Sequence, residues 1–271
     1  MGGAILPPIL LVGCGKMGGA MLEGWLERGV EQVVVVEPFA EATAAFAGRI
    51  TAVPDAAQVP AGFAPAAVVL ATKPQQADAA LPAFRRFAAE GALFLSIMAG
   101  KTVDGIGAAL GREARVVRAM PNTPAAVRQG FTCAYAAPSV SAEQRALCDA
   151  LLSAIGEVAW VEEETLIDPV TAVSGGGPAY VFLLTELLEA AAVEQGLPAE
   201  LARRMARSTV SGSGALLAAS TEDAAQLRRN VTSPKGTTER ALNVLMAPDA
   251  WPKLVSEAVA AATARSRELA G

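Results

Sequence analysis

The sequence predicts a doubly wound, mainly parallel α/β domain followed by an all-α domain. Three observations carry this. Short apolar runs alternate with Ala-rich helical stretches as far as about Glu164, which is the pattern of a parallel sheet covered on both faces. Beyond Glu164 strand-like runs stop and long helical patterns take over. Glycines 13, 15 and 18 sit between the first apolar run and the first helix, where such a sheet offers its ligand site. The expected domains are residues 1–164 and 165–271.

Residues 9–12 are a short apolar run ending at Gly13, and residues 17–28 read as a helix closed by Gly29. Four valines at 33–36 mark a strand buried on both faces. Further runs lie at 67–71, 93–97, 116–120, 131–135 and 158–161. Residues 165–195 read as one long helix, which from Tyr180 to Glu194 is apolar on most of its circumference and therefore expected to be buried on several sides. Gly196-Leu197-Pro198 stops it, and 199–219 is the next helix. Residues 221–223 start a third, and 237–246 and 253–269 complete the all-α domain.

Composition narrows the function. The 271 residues are 52% hydrophobic and 18% charged with net charge −5, which argues against a phosphate-neutralising nucleic-acid surface and a polybasic membrane anchor. Pro, Gly and charges interrupt every candidate membrane span, and the N-terminus has no signal-like pattern. The expectation is a cytoplasmic protein with neither a nucleic-acid nor a membrane partner. Cys14, Cys133 and Cys148 have no metal or disulfide spacing and read as small buried hydrophobes; no metal is expected. The chain contains no His. Nucleophile systems that rely on His are excluded, and any proton must come from Lys, Thr, a carboxylate or water.

Gly13-x-Gly15-x-x-Gly18 after a strand and opening a helix fits a dinucleotide turn. The first glycine permits the turn, the second admits pyrophosphate and the third lets helix pack on strand. Lys16 and Met17 fall within it, and the helix N-terminus offers unpaired amides to phosphate. The alternative is a turn with a packing role only. Glu37 follows Gly18 by 19 residues at the end of the next strand, close to the offset of a ribose-binding carboxylate. It favours NADH, because it accepts from a 2′-hydroxyl and repels a 2′-phosphate; otherwise it is a solvated strand end. Loops 71–75, 96–100 and 120–124 also follow strands, and Lys73 is either a cation near phosphate or ribose or a surface lysine.

Two segments of the second domain stand out. Residues 174–180 place three glycines inside an apolar helix, at a cost of roughly 2–3 kcal/mol against alanines. Either another chain or a ligand approaches closely there, or two helices break there. Residues 231–239 gather hydroxyls and Gly236 before a helix. The amides of Gly236, Thr237 and Thr238 would form a nest for a small carboxylate, and the hydroxyls of Ser233 and Thr238 would bond a carboxylate oxygen or a ring nitrogen. The alternative is a well-capped helix without a ligand.

With these segments in place the chain resembles the pyrroline-5-carboxylate reductases over nearly its whole length. The matching residues are 13–21, 71–75, 96–100, 118–124, 168–181 and 230–242, the last being the most specific. The resemblance implies reduction of (S)-1-pyrroline-5-carboxylate to L-proline by NADPH or NADH, the last step of proline biosynthesis. It implies that the C-terminal domain is a dimerisation domain forming an intertwined homodimer, commonly assembled into a decamer of five dimers. It places Ser233, Gly236, Thr237 and Thr238 on the substrate, with Thr238 the catalytic hydroxyl nearest the nitrogen. It places Gly15, Lys16, Met17, Thr72, Lys73, Pro74 and Ala99 on the cofactor, beside Gly13, Gly18 and Glu37. Lys235 departs from the family's usual Gly, and Glu37 from its more usual small or polar residues, so the resemblance leans to NADPH where Glu37 leans to NADH. Related imine reductases and β-hydroxyacid dehydrogenases remain competitors, although the latter use a Lys that residues 165–194 lack. A dinucleotide-binding sensor or scaffold would not need the 233–238 segment.

Overall fold

The computed structural model describes residues 5–111 and 113–270, so the reading of residues 1–4 lies outside it. Eight strands form one sheet: β1 (Ile9–Val12), β2 (Val33–Val36), β3 (Thr51–Val53), β4 (Ala67–Leu70), β5 (Leu93–Ser96), β6 (Arg115–Met120), β7 (Gly130–Ala136) and β8 (Gly156–Trp160). Their order is β3-β2-β1-β4-β5-β6-β7-β8. All pairs are parallel except β6–β7. β1 stands between β2 and β4, so the sheet reverses direction of winding there, which opens a crevice at the strand ends. The sequence runs missed β3. It is short and mostly exposed at the sheet edge, so burial imposes no apolar pattern on it.

The helices in chain order are α1 (Lys16–Arg28), α2 (Ala40–Thr43), α3 (Ala77–Ala80), α4 (Arg85–Ala89), α5 (Val103–Leu110), α6 (Ala142–Leu152), α7 (Ile167–Val170), α8 (Gly177–Glu194), α9 (Ala199–Ala219), α10 (Ala224–Asn230), α11 (Thr237–Leu245) and α12 (Trp251–Ala270). The alternation of side chains along each strand explains the apolar runs. Ile9, Leu11, Val33, Val35 and Val69 pack with Trp25 of α1 and Leu151 of α6. Leu10, Val12, Val34, Val36 and Val68 pack on the other face with Phe84 before α4, Phe87 of α4 and Ile106 of α5. Both faces of the sheet are thus covered. The fully buried Trp25 spends its indole N–H on the Leu151 carbonyl at 2.9 Å.

The chain forms two compact units, Met1–Gly175 with Ala262–Gly271, and Gly176–Ala261. The division falls later than the change of sequence pattern near 164, because Ile167 and Val170 pack with Met120 and Cys133 of the sheet. The final turns of α12 also belong to the sheet-bearing unit.

Two expectations are corrected here. The helix read over 165–195 is interrupted: a π-helical turn over Thr171–Gly175 follows α7, and α8 starts only at Gly177. No protein atom crowds a Cβ placed on Gly177, and one on Gly175 makes only ordinary contacts. Within the chain these glycines therefore mark a break between helices. Nor is its apolar part buried on several sides, since no residue of α8 is buried. The helical passage Glu164–Glu194 is, by length and composition, long and apolar enough to cross a membrane, despite the Pro, Gly and charged residues that interrupt it.

Within the second unit, α8 and α9 pack together, burying Ala202 and Ala206 of α9, and Arg203 pairs with Glu189 at 3.2 Å. The apolar side chains of Phe182, Leu183, Leu187, Leu216 and Leu254 remain exposed.

Candidate active site

The sheet-bearing unit gathers every residue assigned to the cofactor at the C-terminal ends of four neighbouring strands. Gly13, Gly15, Lys16, Met17 and Gly18 follow β1, Glu37 follows β2, Thr72, Lys73 and Pro74 follow β4, and Ala99 follows β5. The loops after β4 and β5 touch, with the Thr72 hydroxyl 3.5 Å from the Met98 sulfur.

The three glycines of the first turn separate by role. Gly13 has φ +92°, and a Cβ there would lie 2.8 Å from the Ala71 carbonyl oxygen. A Cβ on Gly18 would lie 2.3 Å from the Gly13 carbonyl oxygen, so α1 closes on the strand end only without one. A Cβ on Gly15 would meet nothing within 4 Å. Protein packing gives no reason for that glycine, while an approaching pyrophosphate does. Gly15 and Lys16 are exposed, and no side chain caps α1. Its first amides thus remain open to an anion. These residues fit a dinucleotide phosphate.

Glu37 is half-buried and fixed by two backbone donors. Its Oε2 accepts from the Cys14 N–H at 2.8 Å and its Oε1 from the Phe39 N–H at 3.1 Å. The carboxylate is therefore tied to the glycine turn. Burial, and secondarily the Glu37 charge, push the Cys14 thiol up to about 11. Burial also raises the thiols of Cys133 and Cys148. All three cysteines are buried and free. Among the described residues no cluster of three His, Cys, Asp or Glu side chains could hold a metal ion.

The second unit carries the other constellation, just ahead of α11. Ser233, Thr237 and Thr238 are exposed and no side chain caps the helix. The expected nest of three outward amides needs one correction: Gly236 N–H donates to the Ser233 carbonyl at 3.0 Å and is spent inside the turn. A Cβ on Gly236 would lie 2.9 Å from that same oxygen. Gly236 thus shapes the loop, and the amides of Thr237 and Thr238 are those left without intrahelical partners. Lys235 has φ +59°, the left-handed region that favours glycine. Its N–H donates to Glu239 Oε2 at 2.8 Å.

Further polar pairings join segments that the sequence treats separately. Asn122, after β6, donates to the Ser174 hydroxyl at 3.2 Å and accepts from the Phe131 N–H at 2.9 Å. The loop after β6 is thereby tied to the π-helical turn. Arg118 is buried in β6, with its Nη1 3.1 Å from Glu164 Oε1. An arginine inside the run Val116-Val117-Arg118-Ala119-Met120 was the available signal, because a charge in a buried strand demands partners.

A doubly wound sheet with an open glycine turn at its winding reversal defines a dinucleotide-binding protein. The description "pyrroline-5-carboxylate reductase dimerisation" matches residues 164–269, and "NADP oxidoreductase, coenzyme F420-dependent" matches residues 8–100. The chain is 40% identical to the pyrroline-5-carboxylate reductase of Pseudomonas aeruginosa, over 97% of this chain and 97% of that one. It is 32% identical to that of Haemophilus influenzae, over 96% and 97%. Among solved structures, the pyrroline-5-carboxylate reductase of Coxiella burnetii superposes with TM-score 0.89 at 34% identity, covering 97% of this chain and 98% of that one. The pyrroline carboxylate reductase of Plasmodium falciparum, which has NADP bound, gives 0.83 at 25% identity and 99% of each. The chain belongs to the pyrroline-5-carboxylate reductase family.

Proposed function

We propose that the chain reduces (S)-1-pyrroline-5-carboxylate to L-proline, the last step of proline biosynthesis, as an NAD(P)H-dependent enzyme of the cytoplasm. The observation that carries this reading is the exposed, uncapped start of α11 with its flanking hydroxyls, in a chain 40% identical end to end to a relative of that name. When bound, the nicotinamide dinucleotide supplies a hydride to the imine carbon. The chain's own residues bind and orient. The glycine turn and α1 hold the pyrophosphate, with Lys16 and Met17 beside it. Thr72, Lys73, Pro74 and Ala99 would line the cofactor, with Lys73 near its phosphate or ribose. Ser233 and the amides of Thr237 and Thr238 hold the substrate carboxylate. Thr238 steadies the imine nitrogen, and its hydroxyl or an adjacent water passes a proton on to it, taking one up from solvent in exchange. No covalent intermediate forms, which suits a chain without His.

Glu37 makes NADH the better-accommodated cofactor. Its carboxylate is held in place by two backbone amides, so it cannot swing away from a 2′-phosphate without breaking both bonds. The working form is a homodimer, through the apolar face that α8 leaves open, assembled further into a decamer. That use of α8 also accounts for its apolar character without a membrane.

The test is oxidation of NADH and of NADPH with pyrroline-5-carboxylate and with related imines. Preferred turnover of pyrroline-5-carboxylate is expected, with Thr238→Ala lowering kcat/KM on the order of 10–100-fold. An unchanged kcat/KM removes Thr238 from the mechanism, and no turnover by the unsubstituted enzyme removes the function.

A further inference from the structure

Arg118 presents an unusual problem for a sheet residue. Its guanidinium is 2% exposed, on a strand paired with β5 and β7. A buried cation persists only beside counter-charges, and an apolar residue of similar volume would usually serve stability as well or better. Two carboxylates supply the charge. Glu164 Oε1 lies 3.1 Å from Nη1, and Asp168 Oδ1 lies 3.7 Å from Nη2. Nε and Nη2 make no hydrogen bond in the structure. The site is thus not saturated as a purely stabilising network would be.

Each carboxylate holds something else. Glu164 Oε1 also accepts from the N–H of Val103, the first residue of α5, at 2.8 Å. Asp168 Oδ1 accepts from the hydroxyl of Ser266, in the last turns of α12, at 2.8 Å. Those same turns press on the loop between β5 and α5. Gly100, at φ +72°, approaches so closely that a Cβ would lie 2.8 Å from the Leu269 carbonyl oxygen. Residues 97–102, which include Ala99, are therefore gripped twice. Glu164 holds the far end at Val103, and the chain's C-terminal turn holds the middle at Gly100. Arg118 stands between the two grips.

We propose that Arg118 is a positioning residue for cofactor binding: with Glu164, Asp168 and Ser266 it sets the loop that carries Ala99 through the C-terminal turn of the same chain. The inference rests on the dinucleotide reading of that loop. It gives the last nine described residues, 262–270, a role in the cofactor half of the reaction.

The test uses full-length Glu164→Gln, Ser266→Ala and Gly100→Ala variants. Glutamine keeps an oxygen for the Val103 amide and removes only the charge facing Arg118. The measurements are NADH Kd by nicotinamide fluorescence without imine, KM for the imine, and Tm. Glu164→Gln is expected to raise Kd about tenfold, because it removes a charge facing Arg118, and Ser266→Ala about threefold, because both carboxylates remain beside Arg118. Gly100→Ala, which pushes the loop off Leu269 directly, is expected to match Glu164→Gln. The KM for the imine stays within twofold in all three. An unchanged NADH Kd in Glu164→Gln and Gly100→Ala, whatever happens to Tm, overturns the proposal. Because Kd is read without imine, unsubstituted enzyme that binds NADH but reduces no pyrroline-5-carboxylate defeats the functional reading while the positioning test still decides.

Discussion

The apolar runs of the two units end in opposite places. Every residue of β1, β2, β4 and β5 is buried. None of the 18 residues of α8 is, although most of them are apolar. The first unit satisfies its hydrophobic surface with its own helices, one set on each face of the sheet. The second leaves Leu183 and Leu187, one helical turn apart, 53% and 58% exposed. A continuous apolar face of this kind marks an interaction surface, and it lies inside the stretch matched as a dimerisation region. One half of the chain carries a finished core, and the other carries half of one.

The largest expected effect breaks that half core. Leu183→Glu with Leu187→Glu should abolish association at micromolar protein. Each leucine contributes about 1.5–3 kcal/mol when buried, so the pair weakens association on the order of 10²–10⁴-fold per copy. Sedimentation velocity reads the outcome, and a variant that still sediments as the unsubstituted enzyme would show that α8 is not the interface.

Within the finished half, the contrast predicts chemical inertness. The Cys14 thiol, buried and facing the Glu37 charge, is pushed up to about 11 from 9.0. At pH 8 its thiolate fraction is then about 100-fold below that of an ordinary thiol. Iodoacetamide labelling of the native enzyme should be slower by at least that factor, and should speed up on unfolding. Labelling of Cys14 at the rate of a small free thiol would contradict the buried, charge-facing geometry. The sign for stability follows. The neutral thiol is favoured in the fold, so its contribution is complete below about pH 9 and declines as pH rises toward 11.

The glycine turn sharpens the comparison at a single motif. Gly18→Ala places a Cβ 2.3 Å from the Gly13 carbonyl oxygen, so α1 must shift and both Tm and cofactor binding fall. Gly15→Ala places one where no protein atom lies within 4 Å. Its Tm should stay within about 2 °C, because no packing changes, while the KM for NADH rises about tenfold or more from contact with pyrophosphate. Equal loss of Tm in both variants would mean that Gly15 serves packing rather than the ligand.

The sheet was legible in the sequence wherever burial dictated it. Four consecutive valines, alternately facing two cores, leave an unmistakable run. β3 was not legible, because an exposed edge strand has no buried face to write a pattern. The extended helix was read from composition, but composition does not tell a core helix from one that waits for a partner. The π-helical turn at Thr171–Gly175 left only glycines as a trace. At the site, spacing gave the glycine turn and Glu37, and the 233–238 segment was visible as hydroxyls ahead of a helix. What spacing could not give is long-range pairing. Asp168 and Ser266 are 98 residues apart and meet only because the chain returns to the sheet at its end. The bond from Gly236 to Ser233 was missed for a local reason: the turn is set by backbone angles rather than residue type.

The smallest expected effect concerns the open half, at the one described residue of that half other than glycine with a positive φ. Lys235 holds φ +59° beside the uncapped start of α11. A side chain in that conformation costs about 1 kcal/mol or somewhat more relative to glycine, although glycine gives back part through the unfolded chain's entropy. The one bond that Lys235 makes through its backbone, to Glu239 Oε2 at 2.8 Å, survives the replacement. Lys235→Gly should therefore raise stability by up to about 1 kcal/mol, a Tm gain of about 2–4 °C. If the lysine persists for function, that gain comes with a loss: an exposed cation beside the loop proposed to hold the substrate carboxylate would attract the anionic substrate through water, an interaction that salt screens. The KM for pyrroline-5-carboxylate should then rise a few-fold in the variant at low salt, and the difference should shrink at high salt. A Tm gain with an unchanged, salt-independent KM would leave Lys235 as strain without a role in binding, and would place substrate recognition on Ser233, Thr237 and Thr238 alone.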